Sequence, residues 1–242
     1  KDGFNSHLKS IMDFPLHDAI RAAMSEGGDD AGWGKGMTRI YDVLSHDFVY
    51  HDLSNMMIMA ANHDTDRIGD VVEGDVNRMK IVAAMLCTMR GMPQMLYGDE
   101  LLFRSSDRSK GHPTLRVDFP GGWADDERNL FDRAQHEGDQ KELFDYTRHL
   151  MNWRKSKGVI HNGRTLHFIN RDNTYAYFRY DDNDVVFVFI NNTDSEREVP
   201  WARYAELAKE LHEGRDVVTG ESVKMEGCRV APASALIVEF ER

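Results

Sequence analysis

Three adjacent residues, Asn62, His63 and Asp64, carry side chains that could bind a hydroxylated ligand. They follow an apolar run at residues 56–61 that is typical of a buried strand. In parallel α/β architectures, active sites are built where the strands end. There the Asp64 carboxylate would accept hydrogen bonds from vicinal hydroxyls while the His63 imidazole donates one. The alternative is that Asn and Asp simply form the turn after the strand.

A second polar group, Tyr97, Asp99 and Glu100, follows a strand predicted at residues 94–97. Paired carboxylates are typical of glycosidic cleavage. Adjacent residues on a strand point to opposite faces, however, so Asp99 and Glu100 could flank one bond only if the chain leaves strand geometry at Gly98. We therefore expect Tyr97, Asp99 and Glu100 to support the site without touching its ligand.

A long polar stretch at residues 104–123 is the third candidate, because such loops in compact domains are usually functional or disordered. It ends in the segment LRVDFPGGW, in which Trp123 could offer its flat face to a sugar ring. Alternatively, the loop folds back and buries Trp123 as its own anchor. The other tryptophans, Trp33, Trp153 and Trp201, lack such context and are predicted to be packing residues.

The elements that must position these residues alternate between short apolar runs and helical periodicity, which predicts βα units. Strands are predicted at residues 10–14, 56–61 and 94–97, and helices at 16–25, 37–49, 76–90 and 140–155. Asp75 is predicted to cap the helix that begins at Val76, and Gly91 and Pro93 to stop it.

The pattern changes near Gly163, where short β-branched and aromatic blocks are separated by turns rich in Asn, Asp and Gly. Strands are predicted at residues 165–169, 174–180, 184–190, 198–201, 217–218 and 235–240, with a helical stretch at 204–211. The chain is therefore predicted to hold an α/β domain at residues 1–162 and an antiparallel β-sandwich at 163–242.

Composition excludes some functions. A net charge of −11 argues against a nucleic-acid-binding protein, because binding to phosphates relies on Lys and Arg. The sequence contains no run of eighteen apolar residues, so no membrane-spanning helix is predicted. Cys87 and Cys228 have no metal-binding spacing. The acidic turns at residues 29–30 and 70–75 lack the alternating oxygen ligands of calcium loops and are interpreted as solvated turns. No metal or cofactor is predicted, and cellular location, periplasm or cytoplasm, stays open.

Four segments in order resemble the alpha-amylase superfamily (glycoside hydrolase family 13), particularly its neopullulanase- and cyclomaltodextrinase-like members. KSIMDFPL resembles the family's sixth barrel strand, MAANHDTDR the segment that ends its seventh, GMPQMLYGDE its eighth, and LRVDFPGGW the loop that follows. The end of the chain, APASALIVEFE, is similar to the β-sandwich after the barrel. Met59 and Ala61 depart from the Phe and Asp that the family often has.

The resemblance implies the C-terminal part of a (β/α)8 barrel, about units six to eight, in a retaining enzyme that acts on α-glucans. Asp64 would be the carboxylate that stabilises the transition state, and His63 and Asn62 would bind the same sugar. Arg67 is also expected to belong to the substrate-binding group, where it could orient Asp64; the alternative is a surface ion pair. Calcium is possible in the complete protein, although this segment does not support it.

The family's nucleophilic Asp and acid/base Glu come from the fourth and fifth strands, which we expect to lie before Lys1. About 160 residues precede the predicted sandwich, whereas a complete barrel needs about 200 or more. The fragment alone is therefore expected to be inactive, and its exposed barrel edge to associate with other chains. Two alternatives stay open: a non-catalytic glucan-binding or regulatory protein, and a transglycosylase or isomerase.

Overall fold

The first part of the chain is built on three parallel strands. The computed structural model describes residues 7–209 and 211–241. In it, β1 (Ile11–Met12), β2 (Met56–Met59) and β3 (Met92–Gln94) form a sheet in the order β1-β2-β3. Met56 pairs with Ile11, and Met57 pairs with Met92. Because the strands are parallel, their carboxyl ends lie at one edge of the sheet, where the candidate residues follow β2 and β3.

Helices alternate with these strands, as the periodicity predicts. They are α1 (Phe14–Ser25), α2 (Met37–Leu44), α3 (Ile68–Val71), α4 (Val76–Thr88), α5 (Gly138–Lys155) and α6 (Gly158–Asn162). The predicted cap of α4 is confirmed, since the Asp75 carboxylate accepts hydrogen bonds from the backbone N–H groups of Asn77 and Arg78. No helix within the described ranges is long and apolar enough to cross a membrane.

The third strand lies earlier in the chain than predicted. The sequence predicts it at residues 94–97, but β3 ends at Gln94, and residues Asp99–Leu101 form a 3-10 turn. Gly98 makes this turn with a φ of 86°, and a Cβ atom there would lie 2.2 Å from the Phe103 ring. The chain has therefore left strand geometry before Asp99, and the alternation argument does not apply to Asp99 and Glu100.

The second part of the chain is a six-stranded antiparallel sheet in the order β4-β5-β6-β11-β8-β9. Its strands are β4 (Arg164–His167), β5 (Thr174–Tyr180), β6 (Asp184–Asn191), β8 (Glu213–Asp216), β9 (Ser222–Lys224) and β11 (Ser234–Glu241). A separate pair joins β7 (Arg197–Glu198) to β10 (Arg229–Val230). The strand predicted at residues 217–218 is instead the turn that follows β8.

The six-stranded sheet packs on both faces, which explains the apolar runs in β5 and β6. On one face Tyr177, Val188 and Ile237 join the core of α1, α4 and α5. On the other, Phe178 and Phe187 meet the residues around β7, β10 and the short helix α7 (Ala205–Ala208). The second layer of the predicted sandwich is thus small. The domain boundary at residue 163 stays a prediction, since the core is continuous across it.

The tryptophans differ from the prediction at one position. Trp153 packs against the first core and donates a hydrogen bond to Glu239, and Trp201 packs against Phe187 with ring centroids 4.5 Å apart. Trp33 is fully exposed at the tip of a glycine-rich loop, so the prediction of a packing role for Trp33 is wrong. The periodicity around Trp33 held no signal for burial, because Gly32 and Gly34 break any regular element.

The three-stranded sheet leaves apolar side chains exposed at its two outer edges. Among the described residues β1 and β3 each pair on one side only, and Ile11, Met12 and Met92 are exposed there. We expect the chain to self-associate through these edges, because unpaired strand edges template pairing. Light scattering should give an average mass above 27.8 kDa that falls on dilution.

The variant Ile11→Lys should weaken this association, since an edge lysine opposes strand pairing. Ile169→Lys is the matched control, because Ile169 is an equally apolar exposed residue outside the three-stranded sheet. A wild-type protein that stays monomeric at every concentration would contradict the prediction.

Candidate functional site

The segment after β2 forms a tight turn that presents His63 and Asp64 to solvent. The Asn62 side-chain oxygen accepts a hydrogen bond from the Asp64 N–H at 2.8 Å, and the Asn62 N–H donates to the Thr65 hydroxyl at 3.0 Å. Asn62 is buried, so its amide shapes the turn. This geometry favours the turn interpretation for Asn62 over the predicted direct contact with a ligand.

His63 and Asp64 lie side by side and remain accessible. His63 Nε2 is 3.2 Å from Asp64 Oδ2, and the two side chains are 65% and 61% exposed. The carboxylate and the imidazole therefore form one polar surface that can accept and donate hydrogen bonds to neighbouring hydroxyls.

Arg116, on the long loop after β3, is the residue that sequence reasoning missed. Its Nη2 donates to Asp64 Oδ1 at 2.7 Å, and its Nε donates to the His63 carbonyl oxygen at 2.9 Å. Arg116 lies in the segment LRVDFPGGW, but nothing in its spacing connects it to a turn 52 residues earlier. Only the fold brings the loop over the end of β2.

Arg67 does not orient Asp64, and its ion pair is not on the surface. Its side chain is 0% exposed, and Nη1 donates to the Tyr97 carbonyl at 2.8 Å and to Asp99 Oδ1 at 3.1 Å. Nε donates to the Leu115 carbonyl at 2.8 Å. The predicted roles of Arg67 in substrate binding, in orienting Asp64 and in a surface ion pair are therefore wrong, because this buried side chain joins the end of β3 to the long loop from inside the protein.

The residues after β3 lie beneath the exposed surface. Asp99 is buried, and desolvation raises the pKa of its carboxyl to about 7, although the Arg67 guanidinium opposes this shift. Burial also raises the pKa of Glu100. Tyr97 is partly exposed, and its hydroxyl donates to the Val117 carbonyl at 2.8 Å. These contacts connect the end of β3 with the loop that carries Arg116.

The long loop exposes aromatic side chains. Trp123 is 65% exposed, so the alternative in which it is the buried anchor of its loop is wrong. Asp126 holds this turn by accepting hydrogen bonds from the Gly121 and Trp123 N–H groups. The anchor of this loop is the partly buried Phe119 instead, whose ring lies between those of Phe103 and Phe131 with centroids 5.5 and 4.5 Å apart. The Trp123 side chain is therefore accessible to a ligand.

The prediction that the two acidic turns at residues 29–30 and 70–75 are merely solvated is wrong, because an aspartate in each turn has protein partners. Asp70 is buried and accepts hydrogen bonds from the Ser105 N–H and hydroxyl, and Asp29 pairs with Arg197. In residues 7–209 and 211–241 no group of three His, Cys, Asp or Glu side chains could hold a metal ion.

Two families match the chain. Residues 4–199 match the alpha amylase catalytic domain, and residues 165–239 match the cyclo-malto-dextrinase C-terminal domain. The first match covers both the three-stranded sheet and the loop that carries Arg116.

Curated relatives are distant and much longer. The chain is 24% identical over 193 residues to a cyclomaltodextrinase of Geobacillus thermopakistaniensis (strain MAS1), covering 79% of this chain and 29% of that protein. It is 26% identical over 146 residues to a maltogenic alpha-amylase of Bacillus acidopullulyticus, covering 59% of this chain and 22% of the relative. The chain thus spans less than a third of either relative.

Solved structures share the fold. A structure of AmyP in complex with maltose superposes with a TM-score of 0.73 at 18% identity, covering 98% of this chain and 51% of that one. An alpha-amylase from Geobacillus thermoleovorans complexed with acarbose gives a TM-score of 0.73 at 18% identity, covering 97% and 48%.

The raised pKa of Asp99 predicts a pH-dependent stability. Between its ordinary value of 3.8 and about 7, folded Asp99 keeps a proton that the unfolded chain releases. The contribution of Asp99 to the free energy of unfolding should therefore decrease as the pH rises from about 4 to about 7. Urea unfolding of wild type and Asp99→Asn across that range should show the wild type losing stability relative to the variant. A difference that does not change with pH would contradict the assignment.

Proposed function

This chain belongs to the alpha-amylase catalytic-domain family of glycoside hydrolases, and on that premise we propose that it forms one wall of the active site of a retaining enzyme that cleaves α-glucans. The observation that carries the proposal is the exposed pair of His63 and Asp64 at the carboxyl end of β2. Because the chain spans 29% of the cyclomaltodextrinase that it resembles, the activity is proposed for a longer protein that contains it.

In this proposal Asp64 and His63 bind hydroxyls of the sugar whose bond is cleaved. The carboxylate accepts hydrogen bonds from neighbouring hydroxyls and the imidazole donates one. Such contacts accelerate the reaction if they strengthen as the sugar ring distorts toward the transition state. A carboxylate near the ring also favours the positive charge that develops on the anomeric carbon.

The bond-breaking groups would come from the preceding part of the barrel. In the retaining scheme, one carboxylate attacks the anomeric carbon while a carboxylic acid gives its proton to the leaving oxygen. Water, deprotonated by the same acid/base group, then displaces the enzyme carboxylate and restores it. By resemblance these two groups are an Asp and a Glu upstream of Lys1, so the described wall would stabilise charge without breaking the bond itself.

Other residues would support this wall or extend it. Trp123 has an exposed face on which the C–H groups of a sugar ring could pack. Arg67, Tyr97 and Asp99 hold the loop and the end of β3 together from below, and half-buried Glu100 lies beside them. A transglycosylase or isomerase would use the same wall with a sugar in place of water, and product analysis on maltose, pullulan and cyclodextrin separates these reactions.

The isolated 242-residue chain should not hydrolyse starch or cyclodextrin, because the proposal places the nucleophile and the acid outside it. Reducing-sugar release by the purified chain should equal that of a buffer blank. The longer protein, expressed from the complete gene, should release sugar under the same conditions. Activity in the isolated chain would overturn the division of roles, and inactivity of both would favour a non-catalytic glucan-binding protein.

In the longer protein, Asp64→Asn should lower kcat by about a hundredfold or more, because the charge that stabilises the transition state is lost. Asp66→Asn is the control, since Asp66 is an exposed carboxylate two residues away that pairs with Arg21. The measurement is kcat and KM on a maltooligosaccharide. Equal rates for wild type and Asp64→Asn would remove Asp64 from the site.

A further inference from the structure

We propose that Arg116 is the positioning residue for Asp64, an inference that rests on the proposed function and extends it. Its guanidinium is half exposed and lies at the same surface as His63 and Asp64. The reason to single out Arg116 is the way its hydrogen bonds are distributed.

Arg116 contacts the turn after β2 at two different groups. Nη2 donates to Asp64 Oδ1 at 2.7 Å, and Nε donates to the carbonyl oxygen of His63 at 2.9 Å. One planar guanidinium thus fixes the carboxylate and the backbone that carries it. With His63 Nε2 at 3.2 Å from Oδ2, each Asp64 oxygen has its own neighbour, which restricts rotation of the carboxylate.

Arg116 is itself held from both sides. The carbonyl of Leu115 accepts from Arg67 Nε at 2.8 Å, and the carbonyl of Val117 accepts from the Tyr97 hydroxyl at 2.8 Å. Arg67 is completely buried, so its hydrogen bond to the Leu115 carbonyl is shielded from competing water. An ordinary surface arginine has no such fixed backbone, and its ion pair is worth little.

A carboxylate held in one orientation meets the sugar hydroxyls without first being reorganised. Preorganised charge of this kind acts mainly on the transition state, and misplacing it slows the chemical step. Removing Arg116 should therefore lower kcat more than it raises KM. A lysine could keep a charge near Asp64, but it lacks the planar fork that reaches both acceptors.

The experiment uses the longer protein from the complete gene, with kcat and KM measured on a maltooligosaccharide. Arg116→Ala should lower kcat about ten- to hundredfold with KM changed less than about threefold. Arg116→Lys should lie between wild type and Arg116→Ala. Arg133→Ala is the matched control, because Arg133 lies in the 3-10 turn Arg133–Gln135 beyond the loop that carries Arg116, is 52% exposed and pairs with Asp145 at 2.8 Å. This control should keep wild-type kinetics.

A double-mutant cycle tests whether Arg116 acts through Asp64. In the Asp64→Asn background, Arg116→Ala should lower kcat by less than about threefold, since there is no charged partner left to position. Thermal unfolding of each variant identifies a loss that comes from misfolding. If Arg116→Ala melts early, Arg116→Lys with wild-type stability supplies the test.

The outcomes separate this inference from the proposed function. If Asp64→Asn abolishes turnover while Arg116→Ala and Arg116→Lys leave kcat unchanged, only the positioning role is overturned. If the fold-losses in kcat of the two single variants multiply in the double variant, Arg116 acts independently of Asp64, and the positioning role is also overturned. If Asp64→Asn has no effect on an active enzyme, the proposed function itself is wrong.

Discussion

The structure of the candidate site depends on one buried guanidinium. Arg67 is 0% exposed and donates to Asp99, to the Tyr97 carbonyl and to the Leu115 carbonyl, so it joins the end of β3 to the long loop. A buried charge is tolerated only if it is paired and hydrogen-bonded. Its Nη2 has no hydrogen-bond partner among the described residues, but the rings of Tyr97 and Phe103 lie 5.0 and 5.6 Å from the guanidinium carbon.

A second constraint is a set of hydrogen bonds that connects the antiparallel sheet to the helical part of the chain. The side chain of Asn173, before β5, accepts a hydrogen bond from the Met37 N–H and donates to the Glu26 and Gly28 carbonyls. Since Asn173 is buried with a φ of 54°, which Asn tolerates better than most residues, it connects the antiparallel sheet to the loop before α2. The sheet face with Tyr177 and Val188 then packs on the helices that cover β2 and β3, and this fixes the strands whose ends carry the site.

Much of this architecture can be predicted from local sequence patterns. The apolar runs of β5 and β6, the cap at Asp75 and the position of His63 and Asp64 at a strand end can be predicted from the local sequence, because each depends on neighbours in the chain. Burial of Arg67, exposure of Trp33 and the contact between Arg116 and Asp64 do not, because tertiary packing decides them. Residue spacing cannot reveal that a loop 52 residues downstream covers the turn after β2. The fold family is predicted from the resemblance of four sequence segments in the same order as in the family, not from residue spacing alone.

The division between buried supports and exposed ligands has a physical reason. Arg67 and Asp99 lie inside, where hydrogen bonds to Asp99 and to two backbone carbonyls hold the Arg67 guanidinium, whereas His63, Asp64 and Arg116 face water. A hydroxyl that approaches an exposed carboxylate must displace water that binds it almost as well, so one open wall is a weak sugar site. Under the proposed function, the opposite wall of the barrel would exclude that water and make the same three side chains effective. Preorganisation by Arg116 would then matter most in the closed site, since water could no longer reorient the carboxylate.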